Sequence, residues 1–181
     1  TDKVSVAKPL PVVIYLHGAT IDPGHDVRWG SFIKDLGYIA VLPDSMARPG
    51  RKPNYDSRTG RGGTFPGANA MRIEETRYAL GQVKKSTWAD ANNVFLMGHS
   101  EGGQAAARNR LPDFRGIIIS GWTCTDSSRP GFDWIFAPLE TPILTMAWDH
   151  DALREGTPQQ GSCASKFGER KKARQVVFSG T

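Results

Sequence analysis

Asn93 to Arg108, NVFLMGHSEGGQAAAR, is the stretch whose reading decides the fold. Asn93 to Met97 is a short apolar run too brief for a helix, so it predicts a buried strand. Gly98-His99-Ser100-Glu101-Gly102, followed by Gly103, breaks it, and the Ala-rich run Gln104 to Arg108 has helical character. A serine between flanking glycines on a strand-to-helix turn is the G-x-S-x-G arrangement. The backbone there is strained, the hydroxyl points out of the sheet, and side chains at the glycine positions would collide with neighbouring backbone. The helix that starts at the turn aims its N–H groups and positive dipole end at any oxyanion formed nearby.

The same strand pattern recurs on both sides of this segment. Pro11 to Leu16 ends at His17-Gly18-Ala19-Thr20, Tyr38 to Leu42 at Pro43-Asp44, Arg115 to Ser120 at Gly121, and Pro142 to Ala147 at Trp148, with Arg174 to Phe178 last. Helical spacing lies between them, at Val27 to Leu36 and Ala68 to Lys84. Strands without a polar face need cover on both sides, and helical crossovers supply it. The expected fold is α/β, a three-layer, doubly wound, mainly parallel sheet. Ligands gather beyond the carboxyl ends of such strands, which directs attention to His17, Asp44, Ser100, Trp122 and Asp149 to Asp151. The Gly/Pro/Arg-rich stretch Arg48 to Asn69 is expected as a loop over that site, and Thr123 to Leu139 as a small insertion holding Trp134 and Phe136.

Composition sets the outer limits. The 181 residues amount to one domain, and 20 Gly with 12 Pro stay below the level that suggests disorder. No stretch approaches the roughly 18 to 20 uninterrupted apolar residues of a membrane-spanning helix. The formal charge of +5 is spread over Arg48, Arg51, Lys52, Arg58, Arg61 and the run Glu169 to Lys172, which predicts solvated loop charge rather than a nucleic-acid face. Two cysteines, Cys124 and Cys163, make no disulfide framework, although one bridge between them is conceivable. His17, Asp22, His25 and Asp26 are metal-ligand types without a shared face, so no zinc site is expected.

On YLHGA (Tyr15 to Ala19), LPDS (Leu42 to Ser45), RIEETRYAL (Arg72 to Leu80), GHSEGG and the late AWDHD, the chain resembles the α/β-hydrolase superfamily, in particular its dienelactone-hydrolase-like branch. That resemblance implies a serine hydrolase acting on carboxylic esters or related small acyl substrates, with Ser, Asp and His in that order along the chain. Ser100 stands where the best-known dienelactone hydrolases carry cysteine, which shifts the expectation from lactones toward carboxylesters. Ser100 is then the nucleophile, and the backbone N–H groups of Glu101 and Ala19 form the oxyanion hole. Asp151 is the orienting acid on the Gly-x-x-Asp spacing, with Trp148 in place of Gly and Asp149 as the alternative. His17 is expected to brace its loop, and His99 to pack under the turn.

The partner implied is a small-molecule ester, with no cofactor, no nucleic acid and no membrane; oligomeric state is left open. The pattern breaks at the base. No histidine follows the acid, the four being His17, His25, His99 and His150. The expectation is a chain shortened before its histidine loop and closing helix; a non-catalytic binding module on the same fold is the alternative. A periplasmic or secreted location is expected ahead of a cytoplasmic one.

Overall fold

Alternation along the first strand decides the layering. In β1 (Leu10–Leu16), Val12, Ile14 and Leu16 are buried in one apolar cluster, whereas Val13 and Tyr15 belong to another with Ile33 and Met97. Residues of opposite parity on a strand point to opposite faces, so one β1 strand serves two cores. The computed structural model describes residues 6–20, 23–53, 55–56, 58–59, 61–63, 67–129 and 131–180.

After β1 come α1 (Pro23–Asp35), β2 (Ile39–Val41), the two-residue strands β3 (Tyr55–Asp56) and β4 (Arg61–Gly62), α2 (Ala68–Lys85) and β5 (Ala89–His99). They are followed by α3 (Glu101–Ala107), β6 (Gly116–Ser120), β7 (Ile143–Trp148) and β8 (Ala173–Phe178). Six strands form one sheet in the order β2-β1-β5-β6-β7-β8, and every neighbouring pair is parallel. Helices α2 and α3 cover the face of Val12, Ile14 and Leu16 through Ala79, Leu80, Val83 and Ala105 to Ala107. Trp29 and Ile33 of α1 cover the other face. The expected three layers are present. No helix among the described residues is long and apolar enough to cross a membrane.

Boundaries differ from the sequence expectation where polar side chains take over a structural duty. Helix α1 starts at Pro23 rather than Val27, because its first turn packs His25 and Trp29 one turn apart, and their rings meet edge-on. Strand β5 starts at Ala89 rather than Asn93. Its polar head is an irregularity in the pairing with β1, held by Asp90, which accepts from the Asn92 amide at 3.0 Å and the Asn93 side chain at 2.6 Å. The Arg48 to Asn69 segment is not wholly irregular: β3 and β4 pair antiparallel within it. The insertion Thr123 to Leu139 returns Ile135 and Ala137 to the core and leaves Trp134 exposed. Cys124 and Cys163 are bridged, with 4.7 Å between their Cα atoms.

Candidate active site

Ser100 sits between β5 and α3 with φ 53° and ψ −113°. For a residue with a Cβ this conformation is strained by about 1–3 kcal/mol, and only surroundings that over-determine it hold it there. The Ser100 N–H donates to the Ser120 carbonyl at 2.9 Å, and the Gln104 N–H donates to the Ser100 carbonyl at 3.0 Å. The glycines are needed for space. A Cβ on Gly98 would collide with the Gly102 carbonyl, one on Gly102 with the Leu16 carbonyl, and one on Gly103 would lie 2.7 Å from the Ser120 oxygen. The turn is wedged between β1 and β6. Gly18, by contrast, would accept a Cβ in ordinary contact with Ser100.

Ser100 opens on two cavities. One, of about 300 Å³, is walled by Ala19, Glu101, Gln104 and Arg154, with Tyr55 and Gly62 of the β3–β4 hairpin across from them. The Arg48 to Asn69 segment therefore does reach over the serine. The other, of about 230 Å³, is shared by Ser100, His99, Trp148, His150 and Asp151. Glu101 is the first residue of α3, so its N–H has no carbonyl to reach within the helix. Ala19 follows β1 on the same cavity wall.

A buried charged network sets the Ala19 loop. Arg72 of α2, fully buried, donates to the His17 carbonyl and ion-pairs with Glu75 at 3.4 Å and Glu101 at 3.6 Å. His17 Nε2 accepts the Ser45 N–H at 3.1 Å, so Nδ1 carries the proton and donates to the Gly18 carbonyl at 2.8 Å. Burial, then the neighbouring Arg72 charge, lowers the His17 pKa to about 4. His17 thus braces the loop as a neutral ring. The Glu101 carboxylate faces inward and pairs with Arg51. This corrects the expectation for the loop arginines. Arg58 and Arg61 are exposed, whereas Arg51 is only 5% exposed and fixes the overlying segment to the residue beside the serine.

The two aspartates are separated by their partners. Asp151 lies on the cavity wall with Ser100; its Oδ2 is paired with Arg154, and its Oδ1 accepts the Leu153 N–H at 3.2 Å. Arg154 also donates to the Gly121 carbonyl at 2.6 Å. Asp149 is exposed and accepts from the amides of His150 at 2.9 Å and Gly180 at 3.0 Å, the latter holding its carboxyl below the usual range. Asp149 fastens the end of β7 to the segment after β8, and Asp151 faces the serine's cavity.

All four histidines are described, and none is hydrogen-bonded to Ser100. His99 Nδ1 lies 3.2 Å from Ser120 Oγ, with its ring 4.9 Å from that of His25. Burial, then the His25 and Arg154 charges, lowers its pKa to about 4. His25 accepts the Trp29 indole N–H at 3.1 Å. His150 is exposed, 3.3 Å from Glu155. Asp22 lies outside the described residues, and among those described no cluster of three His, Cys, Asp or Glu side chains is placed to hold a metal. Trp122 is core, whereas Trp148 is 39% exposed and walls the smaller cavity. Sequence reasoning missed Arg51, Arg72 and Arg154. Only Arg72 left a signal, as a charge inside the apolar stripe Thr76, Ala79, Leu80 and Val83.

No family model matches the chain, and no curated protein matches it. Solved structures do. A protein of Klebsiella pneumoniae assigned as a dienelactone hydrolase superposes with a TM-score of 0.67 at 17% identity, over 96% of this chain and 75% of its own. An esterase of Thermogutta terrifontis gives 0.61 at 13% identity, over 99% and 74%. A poly(3-hydroxybutyrate) depolymerase of Bordetella parapertussis gives 0.61 at 17%, over 97% and 74%. With the parallel six-stranded sheet and the serine on its strand-to-helix turn, these likenesses identify the architecture of the chain as the α/β-hydrolase fold.

Proposed function

We propose that the protein is a serine hydrolase acting on carboxylic esters or related small acyl compounds. The observation that carries this reading is the strained Ser100, held at the head of α3 with its neighbours Glu101 and Ala19 on one cavity wall. Ser100 Oγ attacks the acyl carbon while a base takes its proton. The oxyanion is met by the N–H groups of Glu101 and Ala19, and the proton passes to the departing alcohol. Water then cleaves the acyl-enzyme by the same route in reverse. Asp151 orients the base and stabilises its cation. The esterase and depolymerase likenesses support ester chemistry in general. Tyr55, Gln104, Ser128 and Gln159 around the larger cavity suit a polar portion of the substrate.

The base is not among the four histidines as they are placed. The 181-residue chain should therefore cleave p-nitrophenyl acetate only slowly, and free imidazole should raise the rate saturably by filling the cavity between Ser100 and Asp151. Ser100→Ala should abolish that gain, and Asp151→Asn should weaken it. Ordinary enzyme rates without imidazole would overturn the assignment of the base. A second reading, a non-catalytic binding module, is favoured by the lack of any hydrogen bond between Ser100 and an imidazole. Failure of both fluorophosphonate labelling and imidazole-dependent turnover would select it. We further propose an oxidising compartment, supported by the Cys124–Cys163 bridge. Two alkylatable thiols in the denatured native protein would refute it.

A further inference from the structure

A third cavity, of about 310 Å³, lies at the far end of α3 from Ser100. Its walls are Ile73 and Arg77 of α2, the stretch Arg108 to Leu111 that follows α3, and Gly131 with Phe136 from the insertion. No carboxylate lines it among the described residues. Arg77, Arg108 and Arg110 make no ion pair among the described residues, and only Arg129 nearby is neutralised, by Asp126 at 2.6 Å.

An ordinary solvated patch would leave such arginines loose; here Arg108, Arg110 and Arg129 are held by ring contacts, while Arg77 is exposed. Arg108 stacks 3.9 Å from the centre of the Phe132 ring and donates to the Gly131 carbonyl at 2.7 Å. Arg129 stacks on Phe132 at 4.0 Å, and Arg110 lies 4.6 Å over Phe136. Stacking orients a guanidinium without consuming its N–H fork. Buried donors also lack partners among the described residues: Arg108 Nε and Asn109 Nδ2. The Asn109 amide is not simply reversed, because its Oδ1 accepts the Leu111 N–H at 2.8 Å. Asn109 itself is 1% exposed. Burial, with Arg129 and Arg110 beside it, lowers the Arg108 pKa, as expected where positive charge is crowded without a counter-ion. The neighbouring α3 carbonyls are already engaged, that of Ala107 by the Phe136 amide and that of Ala106 by the Asn109 amide.

We propose that this cavity binds an organic carboxylate with an apolar body, its anionic group on Arg108, Arg110, Arg77 and the Asn109 amide, and its hydrocarbon against Ile73, Leu111 and Phe136. The site is independent of the hydrolase reading. Guanidinium forks match carboxylate geometry, and the apolar wall favours an organic over an inorganic anion. The test is titration of the protein with benzoate at low ionic strength, followed by amide chemical shifts. Saturable shifts are expected at Asn109, Leu111 and Gly131, without shifts at Gly98 to Gly103, and affinity should fall as salt is added. Arg108→Gln should weaken binding at least tenfold. So should Asn109→Asp, which keeps the acceptor for Leu111 and replaces the donor with a charge. Arg77→Gln and Arg110→Gln, at exposed positions, provide the same readout if Arg108→Gln does not fold. Benzamide should not bind. Absence of saturation, shifts confined to the Ser100 turn, or unchanged affinity in the arginine variants would overturn the proposal. Inorganic phosphate binding as tightly as benzoate would overturn the organic assignment.

Discussion

Ser100 occupies a backbone region that glycine adopts at little cost and serine only under strain, so stability and the proposed chemistry are opposed at this one position. Ser100→Gly should raise stability by about 1–3 kcal/mol while removing the proposed nucleophile. Thermal unfolding checks this, and an unchanged or lower Tm would show that the turn stores no strain. His17 gives a pH-dependent counterpart. Its ring stays neutral in the fold down to about pH 4, whereas the unfolded chain binds a proton below about 6.5. Stability should thus fall as pH drops from about 6.5 to 4, by up to about 3 kcal/mol from this residue. Histidine ring NMR would show the effect directly, and titration of His17 near pH 6.5 would refute it. The serine turn and its glycines were legible in the chain because a turn motif fixes residue types at fixed offsets, whereas spacing alone did not separate Asp149 from Asp151. Arg51 and Arg154 were not, since their partners Glu101 and Gly121 are brought to them only by the folded backbone.

Elements were legible in proportion to their apolar period. The sheet strands appeared as short hydrophobic runs, and α2 as a stripe of buried positions from Arg72 to Val83. The head of β5 and the first turn of α1 were hidden because Asp90, His25 and Trp29 hold them through side-chain bonds that no hydropathy pattern records. The segment around Cys163 is another such case. It consists of turns and a short 3-10 stretch, Cys163–Lys166, fastened to the end of β6 through Cys124. The bridge spans a sequence separation of 39 residues, which corresponds to about 4 kcal/mol of loop-closure stabilisation. Urea unfolding with and without reductant measures it. A difference below about 1 kcal/mol would show that the turns hold without the covalent tie.

Taken whole, the molecule places Ser100 and the two cavities it opens on at the carboxyl ends of the central strands, and a further, charged cavity at the opposite end of α3. The layer order followed from the alternation of strands and helices, but the burial of Arg72 beneath the site did not, because a charge within an apolar stripe has several structural meanings. The edge of the sheet has its own outcome. Among the described residues β8 ends the sheet, with Val177 and Phe178 52% and 43% exposed and one side of its backbone unmatched. Such a margin templates pairing with a second chain, and the cationic Lys171, Lys172 and Arg174 act as gatekeepers against it. Concentrated solutions should therefore self-associate as salt screens those charges, and light scattering should show Val177→Lys suppressing the process. Particle growth indifferent to both salt and that substitution would place the adhesive surface elsewhere.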